Sequence, residues 1–377
     1  MWHRIGETVV IHRDPWAYIS HPALTLVRPG PHDPGGAWLA AFTHTRRREP
    51  RMHPPSDPLF RTLTTRSVDG GRTWAEPTFA PGFDWSGVET PGLTSTAAGT
   101  VLLTQFRFAW FPLAEARRRW QAGERISVAL PLRGWTEEFD DRDWQHAQHT
   151  WARGYHGLYV HRSEDGGRTY GETVKIAAAP YRDGFTRVGP RVLADGRLAY
   201  VVTEHHPPHN RFTYLLLSDD DGASWGAPRV VVDDPGLQFG EPDLLEVAPG
   251  ELLCVLRDTM RTGYLHVCRS TDGGAHWSTP EITPIRGHPG HLTTLADGRV
   301  LCTYGRREAP FGIRACLSDD GGRTWLLDEE IVIRDDLPNG DLGYPVTVEY
   351  EPGRLFTIYY GQDGSGVTLV MGTWSEL

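Results

Sequence analysis

No run of about 18 apolar residues occurs in this chain, and its opening, MWHRIGETVV, has no basic segment followed by an apolar core. The expectation is a chain with no membrane span or export leader, and hence a cytoplasmic location. A basic stripe is missing too. With a formal charge of -10, nothing displaces the counterions of a phosphate backbone, which argues against a nucleic-acid partner. The runs Arg46 to Arg48 and Arg117 to Arg119 are short and read as solvated surface. Cysteine is scarce: Cys254, Cys268, Cys302 and Cys316 show no C-x-x-C spacing. Their contexts, ELLCVL, LHVCRS, RVLCTY and IRACLS, read as strand interiors, so buried thiols are expected, with two intrablade disulfides as the alternative. Neither His21 nor His288 lies in an H-x-x-x-H spacing that would support a metal there, and no cofactor is expected.

What the chain has instead is glycine (42), proline (29) and tryptophan (14), which suit short strands joined by tight turns with aromatic packing between layers. An eight-residue motif recurs: SVDGGRTW at Ser67, SEDGGRTY at Ser163, SDDDGASW at Ser218, STDGGAHW at Ser270 and SDDGGRTW at Ser318. The last three intervals are 55, 52 and 48 residues, the period of a four-stranded propeller blade. A second repeat fixes the count. The dipeptides at Pro22, Pro91, Pro190, Pro242, Pro289 and Pro345 each precede an apolar strand, a glycine turn and another strand. Proline is expected as the first residue of each such strand.

The predicted architecture is thus all-β, a single six-bladed propeller over residues 1–377, with an insertion in blade 2 from about 107 to 156. The sixth blade lacks an outer strand, which GETVVIHR supplies, closing the ring. Within the insertion, PLAEARRRWQAGE reads as a short helix, and the excursion as a lid, partner surface or plain surface loop.

Strand parity then separates two faces. The eight-residue motif follows the third strand of its blade, so it lies opposite the funnel that the first strands enter. Its chemistry is structural: Asp320 accepts from amides of its own turn, Gly321 and Gly322 allow positive φ, and Trp325 packs between sheets. A calcium loop is disfavoured, since no bidentate Glu follows at fixed spacing. The residues before the six prolines, His21, Thr90, Gly189, Glu241, His288 and Tyr344, are expected around the funnel mouth. Loops after second strands add His44, His53 and Asp57, then His205, His206 and His209, then Arg257 and Arg261, then Arg306 and Arg307. His291 joins them as a substrate-binding candidate.

On these motifs the chain resembles the sialidase (neuraminidase) superfamily, six-bladed propellers with this repeated Asp-box (BNR) turn. The resemblance implies cleavage of a terminal acidic sugar by a Tyr nucleophile with a Glu base, an Asp acid/base and three arginines on the sugar carboxylate. DLGYPVTVEYEPGRL would carry the nucleophile as Tyr344, and GEPDLLEVAPGELLCVLRD the base Glu241 and the carboxylate ligand Arg257. A free phenol has a pKa near 10 and needs such a base. Asp57 in HPPSDPLF matches the acid/base in position, and Arg307 the third arginine, with Arg306 and Arg314 as rivals. One departure stands out: where the family has Arg-Ile-Pro, this chain has Ser20-His21-Pro22. Two alternatives stay open, a lyase on a uronic acid using His21 or His288 with Tyr344, and a non-catalytic carbohydrate-binding propeller.

Overall fold

The computed structural model describes residues 4–48, 56–80, 87–181, 184–204, 212–234, 236–259 and 262–377. Six antiparallel sheets of four strands, one with its first strand in two pieces, are arranged as a propeller. Their first strands are Ala17–Val27, Val88–Ser95, the pair Gly184–Phe185 and Arg191–Val192, Phe239–Ala248, Gly290–Thr294 and Gly343–Glu351. In blades 1, 2, 4, 5 and 6 these strands contact a counterpart in a neighbouring blade and so gather at the axis. The sixth sheet is closed by Arg4–Arg13 pairing antiparallel with Thr368–Glu376, so the first strand of the chain completes the last blade.

Continuous apolar runs such as Leu252-Leu253-Cys254-Val255-Leu256 form strands here because both faces of each blade are covered. Leu252, Cys254 and Leu256 pack toward the third blade, whereas Leu253 and Val255 pack toward the fifth. Each blade-to-blade interface has its own core, including the sixth–first interface, where Ile19, Leu24 and Phe42 meet Val346, Phe356 and Ile358. At about 2 kcal/mol per fully buried aliphatic side chain, these interfaces dominate the stability of the ring. Cys254 faces Cys268 and Cys302 faces Cys316 across neighbouring strands, and all four are free, buried thiols.

The eight-residue turns follow third strands, as strand parity requires. In the last copy the Asp320 carboxylate accepts from Ser318 Oγ (2.8 Å), the Arg323 and Thr324 amides (2.9 and 2.8 Å) and Thr324 Oγ1 (2.6 Å). Gly322 has φ 80°, and a Cβ there would sit 2.5 Å from Leu253 Cδ2. The terminal aromatics, Trp74, Tyr170, Trp225, Trp277 and Trp325, each enter the core between their own blade and the preceding one.

Between the second and third strands of blade 2 lie a helix, Leu113–Gln121, and a hairpin of Val128–Leu130 and Gly134–Thr136. They form a small core of their own around Ala116, Ile126, Val128, Leu130 and Trp144. No helix among the described residues is long and apolar enough to cross a membrane.

Candidate active site

The prolines do not begin the first strands, as expected from sequence; in four blades they lie inside them. The reason is a bulge. His21, Thr90, Glu241 and Tyr344 have φ of 51°, 44°, 48° and 52°, and each is spanned by a register shift in its strand pair. A residue before proline ordinarily stays extended, and a left-handed non-glycine costs about 1–2 kcal/mol. Proline brings no N–H to the ladder, so the bulge breaks pairing where a donor is already missing. In the fifth blade the His288–Pro289 bond is cis, and the strand starts just after it at Gly290.

Two of these kinks face each other. The Tyr344 hydroxyl donates to Glu241 Oε1 across 103 residues of sequence. Arg257, from the second strand of Glu241's blade, donates from Nη1 to Glu241 Oε2 at 2.6 Å and stands 3.4 Å from the Tyr344 hydroxyl. Burial pushes the Glu241 carboxyl up, but the Arg257 charge, the Tyr344 hydroxyl and Arg307 outweigh it and bring the pKa to about 2. Glu241 is therefore ionised at neutral pH and ready to accept a proton. Burial and the Glu241 charge push the Tyr344 phenol well above its ordinary value, against the pull of Arg257 and Arg307. Arg307 lies with its Cζ 5.7 Å from the Tyr344 ring centre, and its buried Nε has no partner among the described residues.

His21 occupies the remaining flank, its ring edge-on to Tyr344 at 4.3 Å, with Nδ1 3.2 Å from both Ser20 Oγ and Thr43 Oγ1. His288 feels the same charges. Burial, then Arg257 and Arg307, lower its pKa to about 3, so it is neutral at physiological pH.

Other candidates keep different company. Asp57 is fully enclosed: Arg48 donates to both its oxygens (2.5 and 3.1 Å), with Thr45 Oγ1 at 3.2 Å and the Leu59 amide at 3.0 Å. An acid/base must reach the substrate, and here no oxygen of Asp57 is exposed. Arg48 is therefore an ion-pair partner, contrary to the solvated surface expected of its run. Ser56 beside it is gripped from the blade 2 excursion by the Trp135 Nε1 (2.9 Å, to Oγ) and Trp151 Nε1 (3.0 Å, to the carbonyl). Trp151 also lies 5.6 Å from the Arg48 guanidinium.

His44 pairs with Asp14 at 3.4 Å and lies 6.4 Å from His12, near the seam where the ring closes. His291 lies deeper on the axis, beside a cavity of about 220 Å³, where its Nε2 is 3.1 Å from Arg191 Nη2 and Arg191 in turn holds Asp243 at 2.6 Å. Arg314 is committed to the Arg334 carbonyl and Glu330, leaving Arg307 beside the phenol. His53, His205, His206, His209 and Arg261 lie outside the described residues. Among those described, no cluster of three or more His, Cys, Asp or Glu side chains could hold a metal ion.

Sequence reasoning missed Arg187, which is fully buried with its Cζ 5.8 Å from the Tyr344 ring centre. Its only signal was a charge in the strand-like stretch GFTRVGPRVL.

Six blades, the repeated turn and a Tyr–Glu–Arg cluster at the axis define a sialidase-like propeller. The chain belongs to the family described as BNR repeat-like domain, which matches residues 141–357. A sialidase of Micromonospora viridifaciens is 29% identical over 232 residues, covering 56% of this chain and 30% of that protein. The chain thus spans about a third of the length of that curated relative. A protein of unknown function from Dyadobacter fermentans superposes with a TM-score of 0.82 at 25% identity, over 100% of this chain and 99% of that one. A sialidase of Streptococcus pneumoniae shares the fold, with a TM-score of 0.64 at 12% identity over 97% and 70% of the two chains.

Proposed function

We propose that this protein is an exo-acting glycoside hydrolase of sialidase type that removes a terminal acidic sugar. The observation that carries the reading is the hydrogen bond from the Tyr344 hydroxyl to an ionised Glu241 that Arg257 holds in place. Tyr344 attacks the anomeric carbon as the bond to the leaving oxygen breaks, its own proton passing to Glu241 so that no isolated phenolate forms. The leaving oxygen takes a proton from the acid, and water then cleaves the tyrosyl–sugar bond and returns the proton to Tyr344. Arg257 and Arg307 hold the anionic group of the sugar. A phenol is neutral before attack and repels that anion less than a carboxylate nucleophile would. Asp57 serves as acid only after Arg48 releases it, which makes Arg48 a second target for the anion. With His21 where the family has an arginine, the carboxylate is held by fewer cations, and the preference shifts toward acidic sugars other than sialic acid.

A second reading, elimination from a uronic acid, is favoured by the His21–Tyr344 contact, with His21 as base and Tyr344 as proton donor. Both are tested by offering the purified protein aryl sialosides, aryl uronides, neutral aryl glycosides and uronic-acid polysaccharides. Hydrolysis releases the aryl alcohol, whereas elimination creates the ultraviolet absorbance of an unsaturated uronide. Tyr344→Phe is expected to lower turnover by roughly a thousandfold or more while the fold is kept. Folded protein inactive on all four substrate classes refutes both readings.

A further inference from the structure

The first strand of the third blade is broken. It pairs at Gly184–Phe185 and again at Arg191–Val192, and residues 186–190 leave the sheet between them. Two glycines allow it to press against the second blade: a Cβ on Gly92 would lie 2.4 Å from the Gly189 amide, and one on Gly189 would lie 2.3 Å from Thr94 Oγ1. The segment is then tied to its neighbours by donors to proline carbonyls. Thr94 Oγ1 donates to Pro190 O and Thr186 Oγ1 to Pro242 O, each at 2.6 Å.

Arg187 extends from this break across the axis. It donates from Nη1 to Gly290 O in the fifth blade at 3.0 Å, and from Nη2 to Pro345 O in the sixth, the carbonyl next in sequence to Tyr344. Its side chain is fully buried, yet no carboxylate among the described residues forms an ion pair with it, and its Nε has no partner there. A buried charge that meets its carboxylates, Asp243 and Glu241, only through space is expensive, and this one is retained beside the phenol that Glu241 bonds. Arg257 and Arg307 differ from it in one respect. Under the proposed function they bind the substrate's anion, and their charge is then spent on it. Arg187 is sealed beneath Tyr344, where a ligand cannot reach it.

We propose that Arg187 is a positioning residue for Tyr344: it fixes the Tyr344–Pro345 backbone and keeps behind the phenol a cation that substrate binding does not neutralise. The proposal rests on the role of Tyr344 given above. A guanidinium whose Cζ lies 5.8 Å from the ring centre of a developing phenolate, in surroundings of effective dielectric near 20, changes its formation by roughly ten- to a hundredfold.

Three full-length variants test this: Arg187→Gln and Arg187→Met, which remove the charge, and Arg187→Lys, which keeps it. With the aryl substrate that the wild type cleaves, the uncharged variants should lose roughly ten- to a hundredfold in kcat with KM within about twofold. The acid limb of their pH profile should move up, because Glu241 also loses a stabilising cation. Arg187→Lys should recover most of kcat and the wild-type limb, and it decides alone if the uncharged variants do not fold. An unchanged kcat and profile in Gln and Met, or a Lys variant as impaired as they are, overturns the proposal. A second readout needs no turnover. Tetranitromethane nitrates phenolates, so Tyr344 nitration, followed by peptide mass mapping, should be slower in the uncharged variants than in wild type and Lys. Equal nitration in all four proteins, zero included, overturns the proposal. If the wild type cleaves nothing, the hydrolase reading falls and nitration alone decides the role of Arg187.

Discussion

Replacing Glu241 by Gln separates the energetics of the axial cluster from its chemistry. The substitution keeps the shape of the side chain and removes its charge, leaving the Arg257 guanidinium, 2.6 Å away, without its counter-ion. Removing one partner of a buried pair costs about 3–5 kcal/mol. The titration of Glu241 gives a similar figure, since a carboxyl lowered from its ordinary 4.5 to about 2 is worth about 3 kcal/mol at neutral pH. At about 2 cal/mol/K per residue, unfolding a chain of 377 residues carries about 0.8 kcal/mol/K, so 3 kcal/mol lowers Tm by about 4 °C. The pH dependence follows from the direction of the shift. Because the folded pKa lies below the unfolded one, the contribution is complete above about pH 4.5 and is lost as the pH falls toward 2. Calorimetric melting of wild type and Glu241→Gln between pH 7 and pH 3 should show curves about 4 °C apart that converge in acid. Adding Arg257→Met to Glu241→Gln should restore part of the loss, because the orphaned charge goes with it. A Glu241→Gln protein that melts within a degree of wild type at pH 7, with the same pH slope, refutes the buried-pair account.

Two further outcomes follow from the scaffold. Asp320→Ala removes the acceptor of four hydrogen bonds in one turn on the far face and should cost about 1–2 kcal/mol in urea unfolding while leaving turnover unchanged; a loss of turnover at full folding would place that face in the chemistry. Trp135→Phe with Trp151→Phe deletes both indole donors to Ser56 and should speed tryptic cleavage at Arg46, Arg47 and Arg48 severalfold, read by intact mass; cleavage at the wild-type rate would show that the excursion does not restrain those residues.

The legibility of the sequence follows the reach of the interactions. The period of the Asp-box turns predicts the blades because each turn is built from eight consecutive residues, with Asp320 bonding within its own turn. The closing strand was legible because GETVVIHR is β-branched and the sixth blade lacks an edge. Tyr344 and Glu241 were found by position, as residues before prolines, although local rules predict extended backbone there. Only the bulge, a property of the strand pair, makes the left-handed turn affordable. What stayed illegible depends on contacts across the ring. Arg187 reaches Pro345 O over 158 residues, and the stretch that carries it looks like any first strand. Arg48 closes on Asp57 nine residues further along the chain, so its run of arginines gave no hint that one was an ion-pair partner.

The left-handed kinks make the funnel a set of interchangeable sockets. At His21, Thr90, Glu241 and Tyr344 the backbone is already bent, at a cost that the bulge and the neighbouring blades have met for an imidazole, a hydroxyl, a carboxylate and a phenol alike. A substitution in such a socket changes the side chain carried there without asking the fold to bend anew. Thr90 sits in one such socket outside the Tyr–Glu–Arg cluster, and it is the kink whose side chain can change with least disturbance to that cluster.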